Sequence, residues 1–222
     1  MTFAVHSQHG SAAAFHARTL VGPLERAVHV WTVERPALVL GSTQDGSVVD
    51  ADACAAAGVE VVRRRSGGGA VLLDPGEVVW VDVELPRSDP LWDDDVGRAA
   101  WWLGERWGEA LATLGATGVT VNRCGSVPTP WSSLVCFAGL GPGEVTGAGG
   151  AKLVGISQRR TRAGARFQCA VPLAWQPNRL ASLLALSAPD RDRMATELAA
   201  AVRQLATPAA AVVDAFLTAI AR

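Results

Sequence analysis

The sequence predicts an α+β protein, a largely antiparallel or mixed sheet flanked by helices. Three observations carry that prediction. Short runs alternating apolar and polar residues recur between residues 27 and 172, and a period of two puts every second side chain on one face of a sheet. Glycine and proline break these runs at turns rather than at long crossovers. Residues 93–115 and the Ala/Leu-rich chain after Pro177 carry helical spacing instead.

The elements follow in order. Residues 1–26 are weakly patterned, with a short helix at 12–18, and are expected to pack as a flap or first edge of the sheet. Residues 27–34 alternate as a strand, Pro36 interrupts, and 37–41 form a second strand entering the turn that holds Ser42 and Gln44. An alanine-rich helix at 48–57 stops at Gly58, a helix C-terminal cap. Residues 59–62 read as a buried strand, followed by Arg63, Arg64, Arg65, Ser66 and three glycines, Gly67 to Gly69. Pro75 and Gly76 turn the chain into 77–85, with Val79, Val81, Val83 and Leu85 on one face. The expected unit is an antiparallel strand–turn–strand–turn–strand with a glycine-lined groove. Asp93 to Asp95 are expected to cap a helix reaching residue 115, its buried stripe formed by Ala99, Leu103, Trp107, Ala110, Leu111 and Leu114. A short strand at 118–122, a proline-containing loop and a strand end at 132–137 deliver Cys136 to a glycine-rich segment, 138–150, expected to be mobile. A hairpin, 152–159 with 165–172, starts at Lys152, and three short helices cover the sheet after Pro177.

Composition removes several function classes. Net charge is −1, which gives no global attraction to nucleic acid or a membrane surface. Mean hydropathy is +0.21, yet no apolar run approaches the ~18 residues of a membrane span. The N-terminal residues lack the basic start and apolar centre of a secretory signal, so a cytoplasmic protein is expected. Cys54, Cys124, Cys136 and Cys169 show no metal-ligand or disulfide spacing and are expected to be thiols, Cys54 and Cys169 in the core.

Charge is uneven locally. Lys152 is the only lysine among the 20 Lys and Arg residues, and lysine offers a compact point charge on a flexible stem where arginine offers a rigid fork. Eight of those 20 cations fall at 63–65 and 152–166, Arg159, Arg160, Arg162 and Arg166 among them. Two basic patches on a near-neutral protein point to an anionic ligand or an acidic partner. The glycine run is neither a Walker A loop nor a dinucleotide fingerprint, but three residues without side chains let backbone amides approach an anion.

The order RRRSGGGAVLLD at 63–74, Cys136 with Phe137, and KLVGISQRR at 152–160 resembles the lipoate-protein ligase A family. The resemblance covers roughly residues 27–175 and implies the biotin and lipoate protein ligase catalytic-domain fold. It implies that Arg64, Ser66, Gly67, Gly68, Gly69 and Ala70 line the acyl and acyl-adenylate site and that Lys152 contacts the carboxyl or acyl-phosphate oxygens. Asp74 matches the acid that closes the glycine motif, with Leu73 where the family often has histidine, and Gly155 and Ser157 belong to the lysine motif. Ser42 and Gln44 are candidate pocket residues. Fixed amides and one aimed ammonium are what holding an acyl-phosphate oxyanion under amine attack requires.

The activity so implied joins a lipoyl or octanoyl group to a lysine of a lipoyl carrier domain through an acyl-adenylate, using ATP and Mg2+. A lipoyl domain or a glycine-cleavage H-type carrier protein is the implied acceptor. Related octanoyltransferases need no cofactor: a cysteine takes the acyl group from acyl carrier protein as a thioester. Cys136, sixteen residues before Lys152, resembles that cysteine's placement, and an adjacent ammonium favours a thiolate. One catalytic domain is expected over 1–222, with a family core at 27–175, helical cover at 177–222 and no full accessory domain. A biotin ligase and a non-catalytic acyl or anion binder are the readings outside this pair.

Overall fold

The computed structural model describes residues 2–20 and 24–222. Ten strands form two sheets. The larger has seven, in the order β1 (Ala4–Gly10), β2 (Ala27–Val33), β6 (Val78–Pro86), β10 (Gly164–Pro172), β9 (Lys152–Arg160), β8 (Val145–Thr146) and β7 (Thr120–Val121). Only the β1/β2 pair in it is parallel. The smaller sheet places β3 (Ala37–Leu40) between β4 (Glu60–Arg63) and β5 (Val71–Leu73), parallel to the first and antiparallel to the second. The helices are α1 (Ala12–Ala17), α2 (Ala51–Ala56), α3 (Trp101–Thr113), α4 (Pro177–Ser182), α5 (Ala188–Leu198) and α6 (Ala209–Ile220). The mixed α+β architecture and the closing β9/β10 hairpin agree with the sequence, and β1 is the edge strand expected of the N-terminal segment.

Alternation explains the layers. Val79, Val81, Val83 and Leu85 of β6 face Leu103, Trp107 and Leu111 of α3 and Phe216 of α6, where Trp107 and Phe216 stack at 3.9 Å. On the other face of the large sheet, Trp31 and Trp80 meet Phe15 of α1 and Ala37, Val39 and Leu73 of the small sheet. In β3 the intervening residues, Leu38 and Leu40, turn outward to Cys54 and to Leu180, Leu184, Met194 and Leu198 of the α4–α5 region. The large sheet is therefore covered on both faces, and the polar residues of β6 are buried too: Asp82 is 0% exposed and Glu84 5%.

Four expectations change. The strands around the glycine loop do not form one meander: β4 and β5 both pair with β3, while β6 belongs to the other sheet. Asp93 to Asp95 do not cap the long helix, which starts at Trp101 with no side-chain cap. Those acids build the turns before it, Asp93 accepting from the Asp95 amide and Asp95 from the Gly97 amide, and they pair with Arg98. Cys136 begins a short 3-10 turn, Cys136–Ala138, rather than ending a strand. The glycine-rich segment is pinned rather than loose, because β8 pairs with β9 and Asn122 donates to the carbonyl of Gly141. Among the described residues, no helix is long and apolar enough to cross a membrane.

Candidate active site

The site lies where the small sheet's glycine loop meets β9 and β10. The three arginines at the end of β4 and just after it divide the work of building it. Arg63 reaches back to the carbonyls of Gly41 and Gln44. Arg64 is 4% exposed; it donates to the carbonyl of Val39 at 3.2 Å and to those of Gly67 and Gly69 at 2.7 and 2.8 Å. Arg65 remains exposed.

The three glycines are there for different reasons. Gly67 has open space where a Cβ would sit. Gly68 has φ +96°, which favours glycine. A Cβ on Gly69 would lie 2.5 Å from the Val135 backbone carbon, because the loop crosses directly over residues 134–136. Ala70 donates to the Leu134 carbonyl at 2.7 Å and accepts from the Cys136 amide at 3.0 Å. This crossing holds Cys136 beside the loop.

Lys152 opens β9 and is 3% exposed. Its ammonium meets a carboxylate oxygen of Glu144 at 2.7 Å and donates to the Cys136 carbonyl at 2.9 Å, with the Phe137 ring centroid 5.2 Å away. Backbone bonds to Ala201 and Arg203 fix its position. Glu144 was not foreseen from the sequence; the only sign was a single acid inside the glycine-rich run 138–150. It also accepts from the amides of Ile156, at 3.1 Å, and Gly141, so it joins the glycine segment, β9 and the lysine.

Arg64 supplies a cation in the neighbourhood of the Cys136 sulfur. An ideal Cβ on Gly68 would lie 2.9 Å from the Arg64 Nη2 and 4.0 Å from the Cys136 sulfur. Lys152 engages the carbonyl of the same cysteine. Burial drives the Arg64 pKa down, and the nearby Cys136 and Glu144 charges work the other way. Among the described residues no carboxylate lies within ion-pair distance of Arg64.

Two cavities meet at Cys136. The inner one runs between the sheets, lined by Val39, Val71, Leu73, Trp80 and Ala170, with Arg64, Gly155 and Ser157 at its wall. The outer one is open and bordered by Gly67 to Gly69, Gly139 to Gly141, Glu144 and Ser157. A polar chain divides the inner cavity from a third one: Ser66 bonds Ser157 at 3.0 Å and donates to Gln168 at 2.9 Å, and Gln168 meets His16 Nδ1 at 3.2 Å. His16 and Gln168 were likewise missed, because α1 and β10 are brought together only by the fold.

Other candidates lie apart. Asp74 pairs with Arg179 at 2.7 Å and borders a separate cavity beneath α4. Burial raises its pKa and Arg179 opposes the rise. Gln44 accepts from the Gly41 amide and donates to the carbonyls of Ser133 and Leu134, bracing the turn. Ser42 offers its amide to the Ser66 carbonyl at 2.9 Å.

Over residues 12–221 the chain matches the family model for the lipoyl protein ligase A/B catalytic domain. The chain belongs to that family. Among solved structures, it resembles the bipartite lipoate protein ligase of Thermoplasma acidophilum, studied with its E2 lipoyl domain: TM-score 0.77, 17% identity, 100% of this chain and 83% of the other covered. A T. acidophilum protein with bound lipoic acid gives TM-score 0.74 at 18% identity, covering 100% and 84%. A lipoate-protein ligase A bound with ATP gives 0.71 at 18%, covering 100% and 85%. These likenesses establish the lipoate-ligase fold. No curated protein sequence matches the chain.

Proposed function

We propose that this protein attaches a lipoyl or octanoyl group to a lysine of a lipoyl carrier domain through an acyl-adenylate made from ATP. Arg64 carries the reading. A buried guanidinium without an acid among the described residues is costly, and here it lines the apolar cavity whose Cys136 and Ser157 also border the open, glycine-lined one. An acyl chain placed between the sheets brings its carboxylate to that charge. The carboxylate attacks the α-phosphorus of ATP and releases pyrophosphate; the carrier lysine then attacks the acyl carbon and AMP leaves. Lys152 and the loop amides steady the oxygens that gain charge. The relatives' lipoic acid, ATP and E2 lipoyl domain support the substrates and acceptor.

Mg2+ in such chemistry needs only one or two carboxylates besides the phosphates. Glu144 is the carboxylate on the open cavity, but Lys152 and two backbone amides already occupy it. Among the described residues no other carboxylate borders that cavity, so the site as it stands does not fit the ion.

Cys136 favours a second reading. Its half-buried thiol borders both cavities next to Arg64, the position for a thiolate to attack a carrier thioester, expel the carrier thiol and pass the acyl group to the acceptor lysine. The donor is then octanoyl acyl carrier protein, and an H-type carrier protein is a further acceptor. Residues 1–222 act as one catalytic domain in either case, with 177–222 as its cover, and free thiols support a cytoplasmic setting.

Intact-mass measurement of a lipoyl domain incubated with the protein tests the pair of readings. Lipoate plus ATP in one arm and octanoyl carrier protein in the other should give an acyl adduct in at least one. Full activity of Cys136→Ser with lipoate and ATP removes the thioester route, whereas an octanoyl adduct on Cys136 removes the pure-ligase route. Normal turnover by Lys152→Arg would refute the assignment of Lys152.

A further inference from the structure

The third cavity is lined by four arginines, Arg18, Arg65, Arg159 and Arg166, with His16 and Gln168 at the wall shared with the acyl cavity. Among the described residues no carboxylate lines it. Glu84 reaches Arg18 at 3.3 Å and Arg166 at 3.1 Å, and Asp82 lies 3.7 Å from Arg166. Arg65 and Arg159 are exposed and have no ion pair among the described residues. Moreover, Arg159 of β9 stands directly opposite Arg166 of β10, and like charges in that register repel.

A buried donor points the same way. His16 is 6% exposed and its Nε2 has no partner. Burial, helped by the charges of Arg64 and Arg166, pushes its pKa down to about 3, so the ring is neutral. Gln168 accepts from Ser66 and donates to Nδ1, which leaves the ring proton on Nε2. Arg18 Nη1, also buried, is held by the Glu84 carboxylate at 3.3 Å. One orphaned donor and two unpaired guanidinium groups around one concavity call for a compact oxyanion.

We infer that this cavity is a phosphate-binding site for the acyl donor, taking either a phosphate of a nucleotide or the phosphodiester of a carrier's thiol-bearing arm. The identity of the donor rests on the function proposed above; the phosphate site stands on its own geometry. Calorimetry with pyrophosphate, ATP and coenzyme A, the last bearing the phosphodiester arm, tests it on the full chain against Arg65→Ala/Arg159→Ala. At least one probe should bind wild type, less tightly as salt rises, and should weaken by roughly tenfold or more in the double variant. Lipoate or octanoate binding should stay within about twofold of wild type.

Tighter binding of ATP or pyrophosphate identifies a nucleotide donor, and tighter binding of coenzyme A a thioester donor; each supports the site. No binding of any probe, or equal binding to both proteins, overturns it. Both replaced side chains are exposed and unpaired, and a melting curve checks folding. Arg65→Lys/Arg159→Lys gives a second variant that keeps charge but loses the fork, with an expected intermediate affinity. Acyl transfer accompanied by unchanged phosphate affinity sinks this inference alone. Absence of transfer from either donor, with phosphate binding intact, sinks the proposed function alone.

Discussion

Replacing Glu144 by alanine should destabilise the protein severely and also release the Gly141 amide that it holds. The carboxylate and the Lys152 ammonium are 2.7 Å apart, with side chains 5% and 3% exposed. Without Glu144 the ammonium keeps only the Cys136 carbonyl and the face of Phe137. Breaking one side of a buried pair costs about 3–5 kcal/mol. For a chain of this size each kcal/mol shifts Tm by about 2–4 °C, so a fall of roughly 6–20 °C is expected. Glu144→Ala/Lys152→Met should recover much of that loss, since it removes the stranded charge as well as its partner. Thermal and urea unfolding of the wild type, both single variants and the double variant measure the cycle. A Glu144→Ala protein within about 1 kcal/mol of wild type, or a double variant no better than the single one, would refute the reasoning.

Two further outcomes follow from the same geometry. Gly69→Ala puts a Cβ 2.5 Å from the Val135 backbone, so the loop must part from the Cys136 segment; urea unfolding should show a loss of about 1–3 kcal/mol, while Gly67→Ala, which meets open space, should be close to neutral. Acid should unfold the protein in two stages. The folded His16 pKa is lowered from 6.5 to about 3, so between those pH values the unfolded chain binds a proton the folded one refuses. Stability is full above 6.5 and falls by about 1.4 kcal/mol per pH unit below it. Glu84 adds a second loss: burial opposes its ionisation, but the His29 hydrogen bond and the charges of Arg166, Arg18 and His29 outweigh it and hold the pKa near about 2, below 4.5. That contribution is present above 4.5 and disappears as pH falls toward 2. Denaturation profiles of His16→Phe should lack the upper stage; an unchanged profile would contradict the assignment.

The layers and hairpin were legible because alternation records which face each residue takes. Leu38 and Leu40 go one way and Val39 the other, as a period of two demands. Partners were less legible, since pairing depends on where the chain returns. β5 follows the glycine loop yet joins β3, and β6 crosses to another sheet. The acidic run at 93–95 looked like a cap because acids suit helix starts, but it satisfies turn amides several residues earlier. Lys152 was visible as a compositional exception and the glycine loop as a run of missing side chains. Glu144, His16 and Gln168 were not, because their significance comes from burial and from neighbours up to 152 residues away.

Charge balance accounts for the ambiguity between ligase and transferase. Glu144 neutralises Lys152, and Arg64 is left as a buried cation with no ion-paired acid among the described residues. One net positive charge fits one negative charge. In the adenylate route that charge is the acyl carboxylate; in the thioester route it is the Cys136 thiolate. Either proposed chemistry would draw on the same loop, lysine and apolar cavity, so motifs that record these parts do not separate the two. Arg64→Gln should therefore depress transfer from both donors, while Cys136→Ser should depress transfer only where the thiol carries the acyl group. An Arg64→Gln enzyme selectively impaired with one donor would show that the guanidinium serves that donor's anion rather than the common acyl end.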